Sequence, residues 1–368
     1  MKTITFLLTG ILMLGCSKGR NSSIPDLYSH RDSVQYTFRL IDRIALEEPD
    51  SIFVGKMISF AVFPDGRMSV GDQLDGSVKI FSPDGKYLKS ISKKGDGHGQ
   101  TIQLVWHCID DAGRVWISDD MKSRISVYDT NGVYQHDWNP LDHCEDCAFY
   151  PGLIRVVGNR LYAGITKGFT GVKTSDDISS LVSEYEIRES SLAHIADYGK
   201  YEHVVEEMKL VVCYSVFAID SSGNVYFNHD DTDIIQKFAP DGRMTKRFHY
   251  PVPAYHTITT PRPKSRQWEN RNSWYWAHSV AGAMSVSGKY VFLSFTNPDP
   301  EYVTSHWNRK YRHDYLQVFD LGGNCLAPYL PLPGEFWCTD ASGILYLREN
   351  SDSESTFILK YQFTVLGK

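Results

Sequence analysis

After residue 14 the chain has no hydrophobic run approaching the roughly 20 residues that a membrane-spanning helix needs. It has no low-complexity tract and no long block of like charge, which excludes a collagenous, linker-like or charged-tail protein. Lys and Arg number 38 against 44 Asp and Glu, for a net charge of −6. A dedicated nucleic-acid binder needs a basic face that this balance does not supply. The one G-x-S-x-G match, Gly15-Cys16-Ser17-Lys18-Gly19, ends the apolar leader rather than sitting between a strand and a helix, so no nucleophile elbow of an α/β-hydrolase is spelled out. Cysteine is scarce, with seven in 368 residues. The C-x-x-C pair Cys144 and Cys147 follows His143, but no second C-x-x-C or H-x-x-x-H lies downstream. Four zinc ligands are therefore not spelled out, and no thioredoxin-like βαβ context surrounds the pair. The residues themselves call for no metal and no cofactor.

What the chain does contain begins with its first residues. Lys2 precedes the apolar stretch Ile4 to Leu14, and Gly15-Cys16 follows. A charged start, a short apolar run and a small residue before the cut make a signal peptide over residues 1–15. Met13-Leu14-Gly15-Cys16 resembles a bacterial lipobox, with Met where Leu is usual. The resemblance implies that Cys16 becomes the lipidated first residue of an exported protein. Residues 16–33 then read as anchor and tether. No acidic run follows Cys16; Ser17-Lys18-Gly19-Arg20 stands there instead. A periplasm-facing anchor is therefore expected rather than surface export.

Aromatic residues are abundant, with 22 Tyr, 18 Phe and 8 Trp, as suits strands. They sit in an internal repeat. Asp65-Gly66-Arg67-Met68 leads to Val78–Phe81 and Pro83-Asp84-Gly85. Ala112-Gly113-Arg114-Val115-Trp116 leads to Ile125–Tyr128 and Thr130-Asn131-Gly132. Ser222-Gly223-Asn224-Val225-Tyr226 leads to Ile235–Phe238 and Pro240-Asp241-Gly242. The paired turn glycines stand 19 positions apart in each copy (66 and 85, 113 and 132, 223 and 242). Each copy spells four antiparallel strands joined by tight turns. One such sheet cannot bury both faces, whereas units stacked around an axis can. Weaker copies open at Gly158, Ser287 and Ser342, with third strands expected at Val182–Ile187, Leu316–Asp320 and Phe357–Gln362. The last copy runs out of chain, and Gln35–Leu46 is free to supply its fourth strand. The expected fold is all-β: a six-bladed β-propeller over residues 34–368, four antiparallel strands per blade, closed by an N-terminal strand.

This pattern, with Gly95-Asp96-Gly97-His98-Gly99-Gln100 after the first copy, resembles NHL-type repeats. Together with the lipobox it resembles the TolB-like six-bladed propeller lipoproteins common in Bacteroidetes. The resemblance covers about residues 34–366 and implies an extracytoplasmic propeller. It implies no reaction, and no catalytic residues are carried over.

Candidate chemistry concentrates in two places. Residues opening the innermost strands point to the mouth of the axis, which nominates Trp106, His107, Arg155, Tyr214, His278 and Trp337. The segment Tyr255–His278 carries Arg266, Trp268, Arg271, Trp274 and Trp276, residue types that mark binding surfaces. Trp274 and Trp276 equally suit the start of the fifth blade's inner strand. A second insertion, Asn297–Asp314, is similar in composition. Paired acids such as Asp110-Asp111 and Asp119-Asp120 read as turn residues. Cys325 and Cys338 flank the entry to the last blade and are candidates for a disulfide. The expectation is an envelope-anchored, non-catalytic binding or scaffolding propeller for a peptide, glycan or partner protein, with no nucleic-acid partner. The alternative is a hydrolase or lyase with an axial metal site, which rests on fold analogy.

Overall fold

The computed structural model describes residues 26–27, 34–49, 52–142, 147–148, 152–167, 179–189, 191–199, 215–229, 232–251, 255–256, 274, 277–299, 301–305, 308–351 and 355–366. Their strands form six separate sheets. Each is a blade whose strands run in chain order from the axis outward, except that an N-terminal strand is outermost in blade 6. The inner strands are Met57–Val62, Leu104–Ile109, Ile154–Val157, Ser215–Ile219, Val280–Ser287 and Gly334–Thr339 for blades 1 to 6.

The repeat glycines explain the hairpins. In blade 2, Gly113 and Gly132 take φ of 79° and 78°, a region that costs glycine nothing. Asp110 fixes the first turn: its carboxylate accepts the N–H groups of Ala112 and Arg114 and the indole N–H of Trp116. Asp220 does the same for Ser222, Asn224 and the Tyr226 hydroxyl, and Asp340 for Ser342, Ile344 and Tyr346. A second recurring aspartate ends the second strand. Asp72 accepts from Gly55 and Lys56, and Asp119 from Ile102 and Gln103. Each ties the loop entering a blade to that blade's own second strand.

Alternation along the strands sends side chains to both faces of every blade. Six apolar cores result among the described residues, one between each pair of neighbouring blades. Val115 and Ile117 face blade 1, while Trp116 between them faces blade 3. Enclosing a side chain of that size contributes about 1.5–3 kcal/mol.

The ring closes as the sequence predicts. Tyr36–Ala45 pairs antiparallel with the final strand Phe357–Val365, from Tyr36 opposite Val365 to Ala45 opposite Phe357. Phe38 stacks on Tyr361 at 4.3 Å. Asp26–Leu27 adds a short parallel pairing to the outer strand of blade 4. Third strands run Ser179–Ile187, Arg312–Asp320 and Phe357–Val365, each including its expected segment. No described helix is long and apolar enough to cross a membrane.

Two expectations need correction. Cys325 and Cys338 are both free thiols. One lies on the outermost strand of blade 5 and the other on the innermost strand of blade 6, so the chain between them crosses from rim to axis. Trp274 does not begin the fifth blade's inner strand, which starts at Val280. Cys16, Cys144 and Cys213 lie outside the described residues, and of Cys147 only the backbone is described, paired with Lys167 of blade 3.

Candidate functional site

Strand direction alternates within a blade, so its connections sort by face. The first-to-second connections are tight glycine turns on one face, as are the third-to-fourth connections of blades 1, 2, 4 and 5. The second-to-third and blade-to-blade connections leave from the other. The stretches 139–153, 168–178, 199–214, 249–279 and 299–311 all leave from and return to that second face. The described ends of both insertions singled out by composition therefore lie on one side of the ring.

Their bases are joined at Ser279. Its N–H donates to the His256 carbonyl at 2.9 Å, and its hydroxyl accepts from the His256 N–H at 2.7 Å. The same hydroxyl bonds the side chain of Asn297, where the second insertion begins. Tyr255 packs its ring on Phe295 at 5.3 Å. His278 is nearly enclosed; its Nδ1 donates to the Trp274 carbonyl at 2.7 Å. The nominated Tyr214, Arg266, Trp268, Arg271 and Trp276 lie outside the described residues.

The arginines of the second insertion are already committed. Arg312 donates to both oxygens of Asp314 and, at 2.8 Å, to Glu335 at the start of blade 6. Arg309 takes the other Glu335 oxygen at 2.8 Å. Burial alone would raise the Glu335 carboxyl. The guanidiniums of Arg312, Arg309 and Arg348 outweigh it and hold it at about 2. This network locks the insertion of blade 5 onto blade 6.

A feature not read from the sequence lies on the same face at blades 1 and 2. Phe53, Leu74, Ile102 and Met121 are 60%, 54%, 38% and 65% exposed. They ride on successive loops tied to one another. Lys56 bonds Gln73, Gln73 bonds the Leu104 carbonyl, and Gln103 bonds Asp120. Four large apolar side chains thus stand exposed on braced loops of one face. The signal was available: Leu74 and Met121 each stand two places after the repeat aspartates Asp72 and Asp119, inside polar turns.

The axial candidates separate into two kinds. His107 is fully enclosed between blades 1 and 2. Its Nδ1 lies 2.6 Å from the Ser59 hydroxyl and its Nε2 2.8 Å from that of Ser69. Ser69 spends its own proton on the Ala61 carbonyl, so Nε2 must donate and Nδ1 accept. Burial first, then the charge of Arg155, depresses the imidazole to about 3. His107 is a neutral strut and presents nothing to a ligand.

Trp106, Arg155 and Trp337 do meet. The indoles lie 6.1 Å apart, and the guanidinium carbon of Arg155 is 5.4 Å from the Trp106 ring centre. Trp106 packs against the cores between blades 6 and 1, 2 and 3, and 3 and 4, which only a residue at the axis can do. Trp337 sits at a break in register between Phe336 and Cys338, a bulge that re-aims a side chain. Among the described residues no three His, Cys, Asp or Glu side chains converge to hold a metal.

Fold and site together define the molecule as a six-bladed β-propeller. A family model described as a 6-bladed β-propeller, DUF5128, matches residues 20–162. No curated protein matches the chain in sequence. A member of the DUF4221 family from Bacteroides vulgatus is similar over 90% of this chain and 99% of its own, with a TM-score of 0.62 and 10% identity. A protein described as exported from Bacteroides fragilis is similar over 93% of this chain and 99% of its own, with a TM-score of 0.53 and 12% identity. The aldose sugar dehydrogenase of Streptomyces coelicolor, in its PQQ-bound form, is similar over 90% and 99%, with a TM-score of 0.51 and 11% identity. At these identities the likeness shows the fold.

Proposed function

We propose that this propeller is an exported, lipid-anchored and non-catalytic binding protein that engages a peptide or partner protein through its insertion face. One observation carries the reading: the described ends of the long connections and the exposed Phe53, Leu74, Ile102 and Met121 lie on one side. The opposite side offers tight glycine turns. Apolar tips on braced loops gain by burial against protein, at about 25 cal/mol for each Å² removed from water. Bracing also lowers the ordering cost of binding.

Export and anchoring are supported by Lys2, the apolar run Ile4–Leu14 and Gly15-Cys16. The similar fold of a Bacteroides fragilis protein described as exported adds to this. The anchor is expected to face the periplasm. Replacing Cys16 with Ala should move the protein from the membrane to the soluble fraction; continued sedimentation with membranes would refute the anchor. The binding face is tested by changing Phe53, Leu74, Ile102 and Met121 together to Ser. On native gels of membrane extracts the parent should run in a higher-mass species, and the variant should unfold cooperatively like the parent yet run without it. An unchanged complex would refute the face.

A further inference from the structure

The register of the six blades exposes a position that sequence alone does not. Opposite Ser69, Trp116, Tyr162, Tyr226, Phe292 and Tyr346 of the second strands stand Ala61, Cys108, Arg155, Ala218, Ser285 and Cys338 on the inner strands. Five of the six are small. Arg155 is thus the one long side chain at this position; it lies near Cys108 and Cys338, and part of its surface remains open.

Among the described residues the charge of Arg155 is not answered: no carboxylate pairs with it, and its contacts are the Ile154 carbonyl at 3.3 Å and the face of Trp106. The thiols near it, Cys108 and Cys338, are both pushed by burial to about 12 and carry no charge at neutral pH. His107 is neutral and already bonded at both nitrogens. The indole N–H groups of Trp106 and Trp337 are both buried without an acceptor. An arginine has five donors and no acceptor, and an indole has one donor only. The axis thus gathers donors that lack acceptors, beside two aromatic walls. Leaving buried donors unmet is costly, so such an arrangement suits a ligand that brings the acceptors.

We infer that the axis of the propeller binds the carboxylate of a small organic acid, with Arg155 as the charge partner and the Trp106 and Trp337 indoles as donors and apolar walls. The two oxygens of a carboxylate match the fork of a guanidinium. The rings favour an acid with an apolar body over a bare inorganic anion. This site is separate from the insertion-face reading, and either can fail alone.

The test is calorimetric titration of the purified protein at constant ionic strength with benzoate, acetate and inorganic phosphate. Benzoate is expected to bind saturably and more tightly than acetate or phosphate. Arg155→Gln should weaken it at least tenfold, as loss of a bond to a charged group does. Trp337→Phe keeps a ring and removes one N–H, and should weaken it about three- to tenfold. It serves as the second variant if Arg155→Gln loses cooperative unfolding. No saturable heat with benzoate, phosphate binding more tightly than benzoate, or equal affinity in a folded variant would overturn the proposal.

Discussion

The Ser59 hydroxyl of blade 1 lies 2.6 Å from Nδ1 of His107 in blade 2, and the histidine must accept this bond because its Nε2 donates to Ser69. A histidine held neutral in this way makes folding sensitive to acid.

The sign follows from linkage. The imidazole titrates near 6.5 in the unfolded chain and at about 3 in the folded protein. Between those values the unfolded state binds the extra proton, so stability falls as pH falls from 6.5 toward 3. The slope approaches about 1.4 kcal/mol per pH unit within the window. Urea unfolding at pH 7, 5.5 and 4.5 should show this loss, and His107→Asn should flatten that part of the profile. An unchanged profile in the variant would mean that His107 is not the sensor.

Gly71 makes the room for this contact. A β-carbon there would stand 2.1 Å from the Ser59 hydroxyl oxygen and 3.0 Å from His107 Nδ1. Gly71→Ala should therefore destabilise by about 1–3 kcal/mol, the usual cost of overpacking. The urea midpoint measures it, and a midpoint equal to the parent's would contradict the packing.

Arg312 bridges Asp314 and Glu335 with its side chain only 9% exposed. Arg312→Leu leaves buried Asp314 without a cation, while Glu335 keeps Arg309, and should cost about 3–5 kcal/mol. Glu335→Gln should cost less, because both arginines keep an acceptor or Asp314. Glu335 contributes stability fully above its usual 4.5 and loses it as pH falls toward about 2. The acid limb below pH 4.5 should be shallower in Glu335→Gln; a limb as steep as the parent's would refute the role.

The closing strand is expected to be indispensable. Tyr36–Ala45 completes blade 6 and places Ile44 in the core against blade 1. A chain that starts at Glu47 should lose cooperative thermal unfolding, because blade 6 keeps an open edge. A sharp transition at the parent's temperature would show that the ring does not depend on it.

The blades were legible because tight turns force glycine where φ is positive, and such glycines leave a fixed spacing. The closing strand was legible from the arithmetic of a last copy short of one strand. Arg155 was nominated from its place on an inner strand, but its isolation among Ala61, Cys108, Ala218, Ser285 and Cys338 needed the register. His107 looked equivalent to Trp106. Alternation sends it to the opposite face of the blade, and Ser59 and Ser69, far away in sequence, decide its role. The Cys325–Cys338 expectation failed because closeness in sequence hides the distance from rim to axis. The apolar tips went unread because each is one residue in a polar turn, and only the ring assembles them.

The most direct measurement places a photoreactive residue at Leu74 or Met121 on the insertion face, and at Val133 or Val157 on the tight-turn side, in cells. The account predicts one discrete protein adduct from Leu74 and Met121 and none from Val133 and Val157. Adducts from the tight-turn positions alone, or from neither side, would contradict it.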